Sequence, residues 1–351
     1  MLRRLIVPRG MALGCRTFPC SPRRDTLVPT KMNVIHGLES VRFSGVVLTI
    51  GNFDGMHRGH QAILAAGRGR ADAAGTRLVA MTFDPHPSAV LTPDRIPEAL
   101  TPATAKIQHL QAAGVDVVIM VDPRCEFGGL PFLAIPAERF IDEVILERFQ
   151  PVAMVEGASF GFGHRRQGNV NTLREAAERH GFEAEVVEPV RVELGGHPGT
   201  VISSSLIRHL LKSGTVDQAA LCLGRPYALF GQVVHGVGRG QPLGLATANL
   251  AVEAQLIPAE GVYAGQAEVD HRLWAAAVSI GRKSTFGERD LAVEAHLLDF
   301  TGDLYGRHLR LELREWLRPQ ERFGAPQSLR QQMARDVART REVLKTDAAI
   351  G

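Results

Sequence analysis

The chain has 351 residues, is 45% hydrophobic and carries a formal net charge of +3; it is too long for one ordinary core and fits two domains. Its mean hydropathy is −0.01 and no apolar run approaches the roughly 18–20 residues of a membrane span, so a soluble globular protein is expected. Seven cationic residues against Asp25 give residues 1–31 a charge of +6, leaving −3 for the rest; without a basic field in the folded part, the charge argues against a nucleic-acid binder.

The first 31 residues are Arg-rich, poor in acids and punctuated by Pro8, Pro19, Pro22 and Pro29. They read as a targeting peptide or, because Met32 precedes an ordinary start at Asn33, as a disordered extension added by a wrongly placed start. The second reading is preferred. Cys15, Cys20, Cys125 and Cys222 show no metal-ligand spacing, which fits a reducing cytoplasm. The excess of arginine over lysine reads as compositional bias or as phosphate recognition.

Gly45–Ile50 is an apolar strand, Gly51–Met56 a Gly-rich bend, and His57-Arg58-Gly59-His60 opens a segment of helix-forming composition. Strand, bend and helix start gather loop amides and the positive end of a helix dipole around one small space. His57 and His60, three residues apart, share the first turn and face one way. Core histidines, metal ligands beside Asp54 and phosphate ligands are three readings of the pair; the glycines and the helix start favour the third.

Arg77–Phe83 is a second buried strand, stopped by Asp84-Pro85-His86-Pro87. A helix over Ala103–Ala113 leads to a strand at Val117–Val121. Pro136 suits the first position of a helix through Phe149, with Phe140, Val144, Ile145 and Phe149 as its buried stripe. Val152–Val155 runs into the Glu156–Gly163 loop, Asn171 caps a helix that Gly181 ends, and Val186-Val187 continues the sheet. The alternation predicts a parallel α/β sheet with right-handed crossovers. Ligands of such sheets sit beyond the strands' carboxyl ends, where the Gly51–Gly55 and Gly157–Gly163 loops fall.

Ser203 or Ser204 is a natural N-cap, which puts Arg208 about one turn into its helix. Thr215 with Gln218 reads as a capping box for another helix, ended by Gly224. Short β-branched runs over residues 227–315, broken by Gly and Pro, predict a small β-barrel. A helix from about Pro326 to Leu344 closes the chain, with Leu329, Met333, Val337 and Leu344 near one face.

The Gly51–His60 segment and the Ser203-Ser204-Ser205-Leu206-Ile207-Arg208 run resemble the nucleotidyltransferase superfamily. Leu223-Gly224-Arg225-Pro226-Tyr227, Gly231–Gly236, Ala246-Thr247-Ala248-Asn249-Leu250, Pro258–Tyr263 and Val293-Glu294-Ala295-His296 narrow this. Together they resemble the prokaryotic bifunctional riboflavin kinase/FAD synthetase family over residues 32–345. The resemblance implies an N-terminal Rossmann-like FMN adenylyltransferase domain over 32–224. A riboflavin kinase barrel with a C-terminal helix follows over 225–345, and 346–351 is a tail.

For adenylyl transfer the resemblance implies a nucleotide site built from Gly51, Phe53, Asp54, His57, Gly59, His60, Gly157, Ser159, Phe160, Ser203, Ser204 and Arg208. The FMN phosphate is already an anion, so neutralisation and in-line positioning are the tasks; His57, His60 and Arg208 carry them. For the kinase step it implies Glu294 as base toward the ribityl hydroxyl. Thr247 and Asn249 then bind ATP and Mg²⁺. Riboflavin, FMN and FAD are the flavin substrates and products. No nucleic acid or membrane partner is expected.

Four positions depart from the family pattern: Ser159 replaces an acid, Ala246 a proline, and Lys283-Ser284 an Arg-Pro pair. A lost loop proline costs only about 0.4–1 kcal/mol, and Lys283 keeps charge but not the bidentate fork. Two working sites are expected. A kinase beside a weakened adenylyltransferase, or a flavin-binding protein without turnover, are the alternatives.

Overall fold

The computed structural model describes residues 33–235, 247–282 and 291–350, the side chains of Pro326 and of 346–350 apart. The leader, Ala246, Lys283 and Ser284 lie outside the described residues.

Six parallel strands form the first sheet: β1 (Asn33–His36), β2 (Val47–Ile50), β3 (Leu78–Phe83), β4 (Val117–Val121), β5 (Ala153–Gly157) and β6 (Glu183–Val187). Their order is β1-β4-β3-β2-β5-β6. All four residues of β2 and all five of β4 are buried, because helices cover both faces of a parallel sheet. That is why these strands read as unbroken apolar runs. The strand order reverses between β2 and β5. There Val47 and Leu48 pair with Ala153 and Met154, and the two strands then part.

Several helix boundaries differ from the sequence expectation. Helix α1 spans Arg58–Ala73 and α2 spans Ala103–Ala112. Pro136 is the extended residue before the helical segment 137–149, not its first turn, and that segment runs as a π-helix over Phe140–Leu146. Helix α3 (Val170–His180) is capped by Asn169, not Asn171, with Thr172 closing a capping box. Gly181 ends it at φ +77°. An antiparallel hairpin, Arg191–Leu194 with His197–Val201, was not foreseen. Ser203 caps α4 (Ser204–Lys212). Thr215 precedes α5 (Val216–Leu223) without a side-chain cap, because its hydroxyl donates back to Leu210 O at 3.0 Å.

The second half is a closed antiparallel barrel of β7 (Tyr227–Val234), β8 (Ala248–Val252), β9 (Gly261–Val269), β10 (Arg272–Arg282), β11 (Leu291–Leu297) and β12 (His308–Arg318). Their order is β7-β8-β11-β10-β9-β12. Alternation fills the interior: Val293, Ala295 and Leu297 are buried while Ala292, Glu294 and His296 are not. The barrel core is continuous with buried residues of α4 and α5, such as Ile207, Leu211, Val216 and Leu223. Helix α6 (Pro326–Ile350) packs on the barrel. Leu329, Met333, Val337 and Leu344 are only half-buried; the inner face is Asp336, Thr340 and Val343. Asp336 earns burial by pairing with Arg318 of β12 at 2.7 Å.

Candidate active sites

The first site lies at the carboxyl ends of β2, β3 and β5. The bend after β2 holds Phe53 (φ 47°), Gly55 (φ 83°) and Met56 (φ 42°) in left-handed conformations, two of them side-chain-bearing residues that pay strain for it. His57 caps α1: its Nδ1 accepts the backbone N–H of His60 at 3.3 Å. A ring accepting at Nδ1 carries its proton at Nε2 when neutral, so His57 presents an N–H. Burial is the main cause that holds its pKa down to about 4, with Arg225 adding to it.

The His57 and His60 rings stack at 3.6 Å, and Phe53 meets His60 edge-on at 5.4 Å. Burial, then His57, then Lys106 push the His60 pKa well below its ordinary value. Its Nδ1 is enclosed without a hydrogen-bond partner. Gly59 is glycine for space, since a Cβ there would come within 3.1 Å of the His57 ring. The pair is therefore uncharged at neutral pH, with His57 presenting the N–H at the helix start.

Asp54 is buried. One carboxylate oxygen accepts the N–H groups of Leu100 and Thr101 at 2.9 and 3.2 Å, and the other pairs with Arg208 at 2.5 Å. Ser204 Oγ donates to the Asp54 carbonyl at 2.9 Å, while Ser203 Oγ caps α4. The structure thus brings together Asp54, Ser204 and Arg208 as one cluster. Phe53 is 1% exposed, so its ring supports His60 from beneath. Gly51 packs over that ring, where a Cβ would lie 3.2 Å away.

Gly157, Ser159 and Phe160 follow β5. Ser159 is exposed and its carbonyl accepts from Arg166 at 2.6 Å, while the Phe160 ring stacks on Phe162 at 5.4 Å.

Four residues at this strand end escaped the sequence reading. His86 Nδ1 accepts the Ser88 N–H, and its Nε2 lies 3.0 Å from the Asn52 side-chain amide. Burial is the main cause that lowers the His86 pKa. Glu156 is fully enclosed where β2 and β5 part, and its Oε1 accepts the Ile50 N–H at 2.7 Å. Desolvation raises its pKa well above the carboxylate range. Lys106 on α2 is buried, with Nζ donating to Phe83 O at 2.9 Å. The Asp-Pro-His-Pro turn was a visible signal for His86. An acid inside the apolar run at 153–157 was one for Glu156.

The second site lies on the barrel's outer face. Asn249 of β8 stands opposite Glu294 of β11, and Glu294 stands opposite Ser279 of β10. Thr247, two residues before Asn249, is half-buried like both of them. Gln320 donates to Ser279 Oγ at 2.9 Å. The parity that buries Ala248, Leu250, Val293 and Ala295 sends these polar side chains outward.

Among the described residues no three His, Cys, Asp or Glu side chains gather as a metal site, and no helix is long and apolar enough to cross a membrane.

Two family descriptions match: "FAD synthetase" over residues 40–205 and "Riboflavin kinase" over 223–344. The bifunctional riboflavin kinase/FMN adenylyltransferase of Escherichia coli K12 is 34% identical over 311 residues, 88% of this chain and 96% of that protein. The protein of that name from Bacillus subtilis is 32% identical over 295 residues, 83% and 90% of the two chains. A solved structure described as a macrolide-efflux protein from Streptococcus pneumoniae superposes with a TM-score of 0.78 at 26% identity, covering 88% of this chain and 98% of that one. Both halves of the chain and their order match relatives over nearly their whole length, and the protein belongs to the bifunctional riboflavin kinase/FMN adenylyltransferase family.

Proposed function

We propose that this chain makes FMN and then FAD in two separate sites, with residues 32–224 serving adenylyl transfer and 225–345 serving phosphorylation, in the cytoplasm. The observation that carries the reading is the stacked His57–His60 pair at the start of α1, beside the β2/β5 switch point. In adenylyl transfer a phosphate oxygen of FMN forms a bond to the α-phosphorus of ATP. The bond to the β-phosphate breaks, and pyrophosphate leaves with the electron pair. His57 Nε2–H and the α1 amides donate to the polyphosphate, and Arg208 steadies the leaving charge.

In the kinase site a ribityl hydroxyl attacks the γ-phosphorus and ADP leaves. Glu294, which makes no hydrogen bond or ion pair among the described residues, takes the hydroxyl proton. Thr247 and Asn249 offer two neutral hard oxygens. That set fits Mg²⁺ bound mainly by ATP phosphates and water better than a metal held by protein alone. They would hold Mg²⁺ there, where it neutralises phosphate charge during transfer.

Incubating the protein with ATP, Mg²⁺ and riboflavin and separating FMN from FAD tests the whole. Glu294→Gln should lower FMN formation by about 10²–10⁴-fold and spare FAD formation from supplied FMN. His57→Ala with His60→Ala should do the reverse. Accumulation of FMN alone by the unaltered protein would instead mark the adenylyltransferase half as weakened, as Ser159 in place of an acid allows.

A further inference from the structure

The polyphosphate site as read so far is short of positive charge. His57, His60 and His86 are held neutral by burial. Arg208 is paired with Asp54, which offsets part of its charge. Arg225 spends its terminal nitrogens on the carbonyls of Gly55, Met56 and Leu223. A nucleoside triphosphate brings several negative charges, and neutral donors alone leave them uncompensated.

Lys106 is 7% exposed, and its ammonium forms one hydrogen bond, to Phe83 O at the end of β3. Among the described residues it makes no ion pair. An ammonium has three N–H donors, so two are unspent. The Phe83 bond places it at the carboxyl end of β3; burial lowers its pKa, with Asp54 and Asp84 acting against that, and its charge is felt by His60 and His86. A buried cation without an ion-pair partner is costly unless an anion arrives.

We propose that Lys106 is a substrate-contacting residue of adenylyl transfer, its ammonium donating to a polyphosphate oxygen of the nucleotide held against His57 and His60. It takes part in no bond change. As the electron pair leaves with pyrophosphate, the ammonium meets the charge that grows there. This rests on the adenylyltransferase reading of that site.

The test is Lys106→Met, which keeps an unbranched stem and removes the charge. FAD formation from supplied FMN should fall by at least about 100-fold in kcat/KM. Inorganic pyrophosphate should bind at least about tenfold more weakly, with a shallower salt dependence. FMN formation, measured on the same sample, should stay at the unaltered level. FAD formation and pyrophosphate affinity within about threefold of the unaltered protein overturn the assignment. His57→Ala with His60→Ala, run in parallel, separates two failures. Loss in that variant beside a normal Lys106→Met removes only the lysine's role, whereas FAD synthesis surviving in it removes the reading of the site. Should Lys106→Met not fold, the unaltered protein labelled with ¹⁵N-lysine decides. The Nζ resonance of Lys106, assigned with Lys106→Arg, shifts on adding pyrophosphate if the proposal holds and stays still if it does not.

Discussion

Arg208 and Asp54, 154 residues apart, form a buried ion pair that fastens three segments together. Arg208 also donates from Nε to Glu98 O at 2.8 Å, while the other Asp54 oxygen takes the amides of Leu100 and Thr101. The bend after β2, the 98–101 loop and α4 therefore share one electrostatic joint. Asp54→Asn keeps an acceptor for the two amides and removes the charge opposite Arg208. Breaking one side of a buried pair typically costs about 3 kcal/mol or more. That loss should appear in urea unfolding, and Asp54→Asn with Arg208→Met should be less damaging than the two changes added. Additive losses would mean that the two side chains act independently.

Glu156 gives a prediction with a sign. Its carboxyl stays protonated because burial raises its pKa while Oε1 takes the Ile50 N–H. A raised native pKa means that the native state holds the proton longer than the unfolded chain does. The contribution is full below the ordinary carboxyl pKa and is lost as pH climbs toward the raised value. Glu156→Gln keeps the acceptor and cannot ionise, so it should be more stable than the parent at pH 8 and close to it at pH 4.5. Glu156→Ala strands the amide and should cost about 1–3 kcal/mol at both. Denaturant melts at the two pH values give the answer, and parallel behaviour of parent and Gln variant would refute the protonated state.

His57 works in the opposite direction. Its native pKa near 4 lies below the ordinary 6.5, so between those values the unfolded chain binds more protons and stability falls as pH falls. Above 6.5 the effect is flat. The full loss from this one ring is on the order of 3 kcal/mol. Adenylyl transfer should correspondingly show no titration near 6.5 from His57, because the ring donates from Nε2 throughout that range. A pH–rate profile of FAD formation with a step near 6.5, absent from His57→Gln, would contradict the neutral ring.

The parts legible in the sequence were those encoded over a few residues. The strand–bend–helix at 45–60, the Ser203 cap and the barrel's short punctuated strands depend on local glycines, hydroxyls and β-branched runs. The paired histidines were found by spacing, although the capping role of His57 was not, since histidine is an unusual cap. The cap chosen at Asn171 was two residues late, because Asn169 is the residue that the backbone holds extended at φ −140°. The roles of Glu156, Lys106 and Arg225 were out of reach for another reason, although the acid at 156 stood out in its apolar run. Each acts on a partner brought in by topology, as Glu156 does across 106 residues to Ile50.

Arg225 is the clearest of those long-range cases and yields the last prediction. It stands at the entrance to the barrel half, yet its guanidinium donates to the carbonyls of Gly55 at 2.9 Å and Met56 at 3.0 Å, in the bend that carries His57. Gln61 donates to Met56 and Leu223 as well, so Arg225 leaves the Gly55 carbonyl as the group most exposed to its loss. Burial, with Arg310 nearby, pulls the Arg225 pKa down to about 10, so it remains charged at neutral pH. Arg225→Met should cost about 1–3 kcal/mol of stability and slacken a bend already strained at Phe53 and Met56. Because that bend aims His57, KM for ATP in FAD formation should rise by about tenfold while KM for ATP in FMN formation stays unchanged. Equal shifts in both would show that Arg225 serves overall folding and not the aim of the histidine pair.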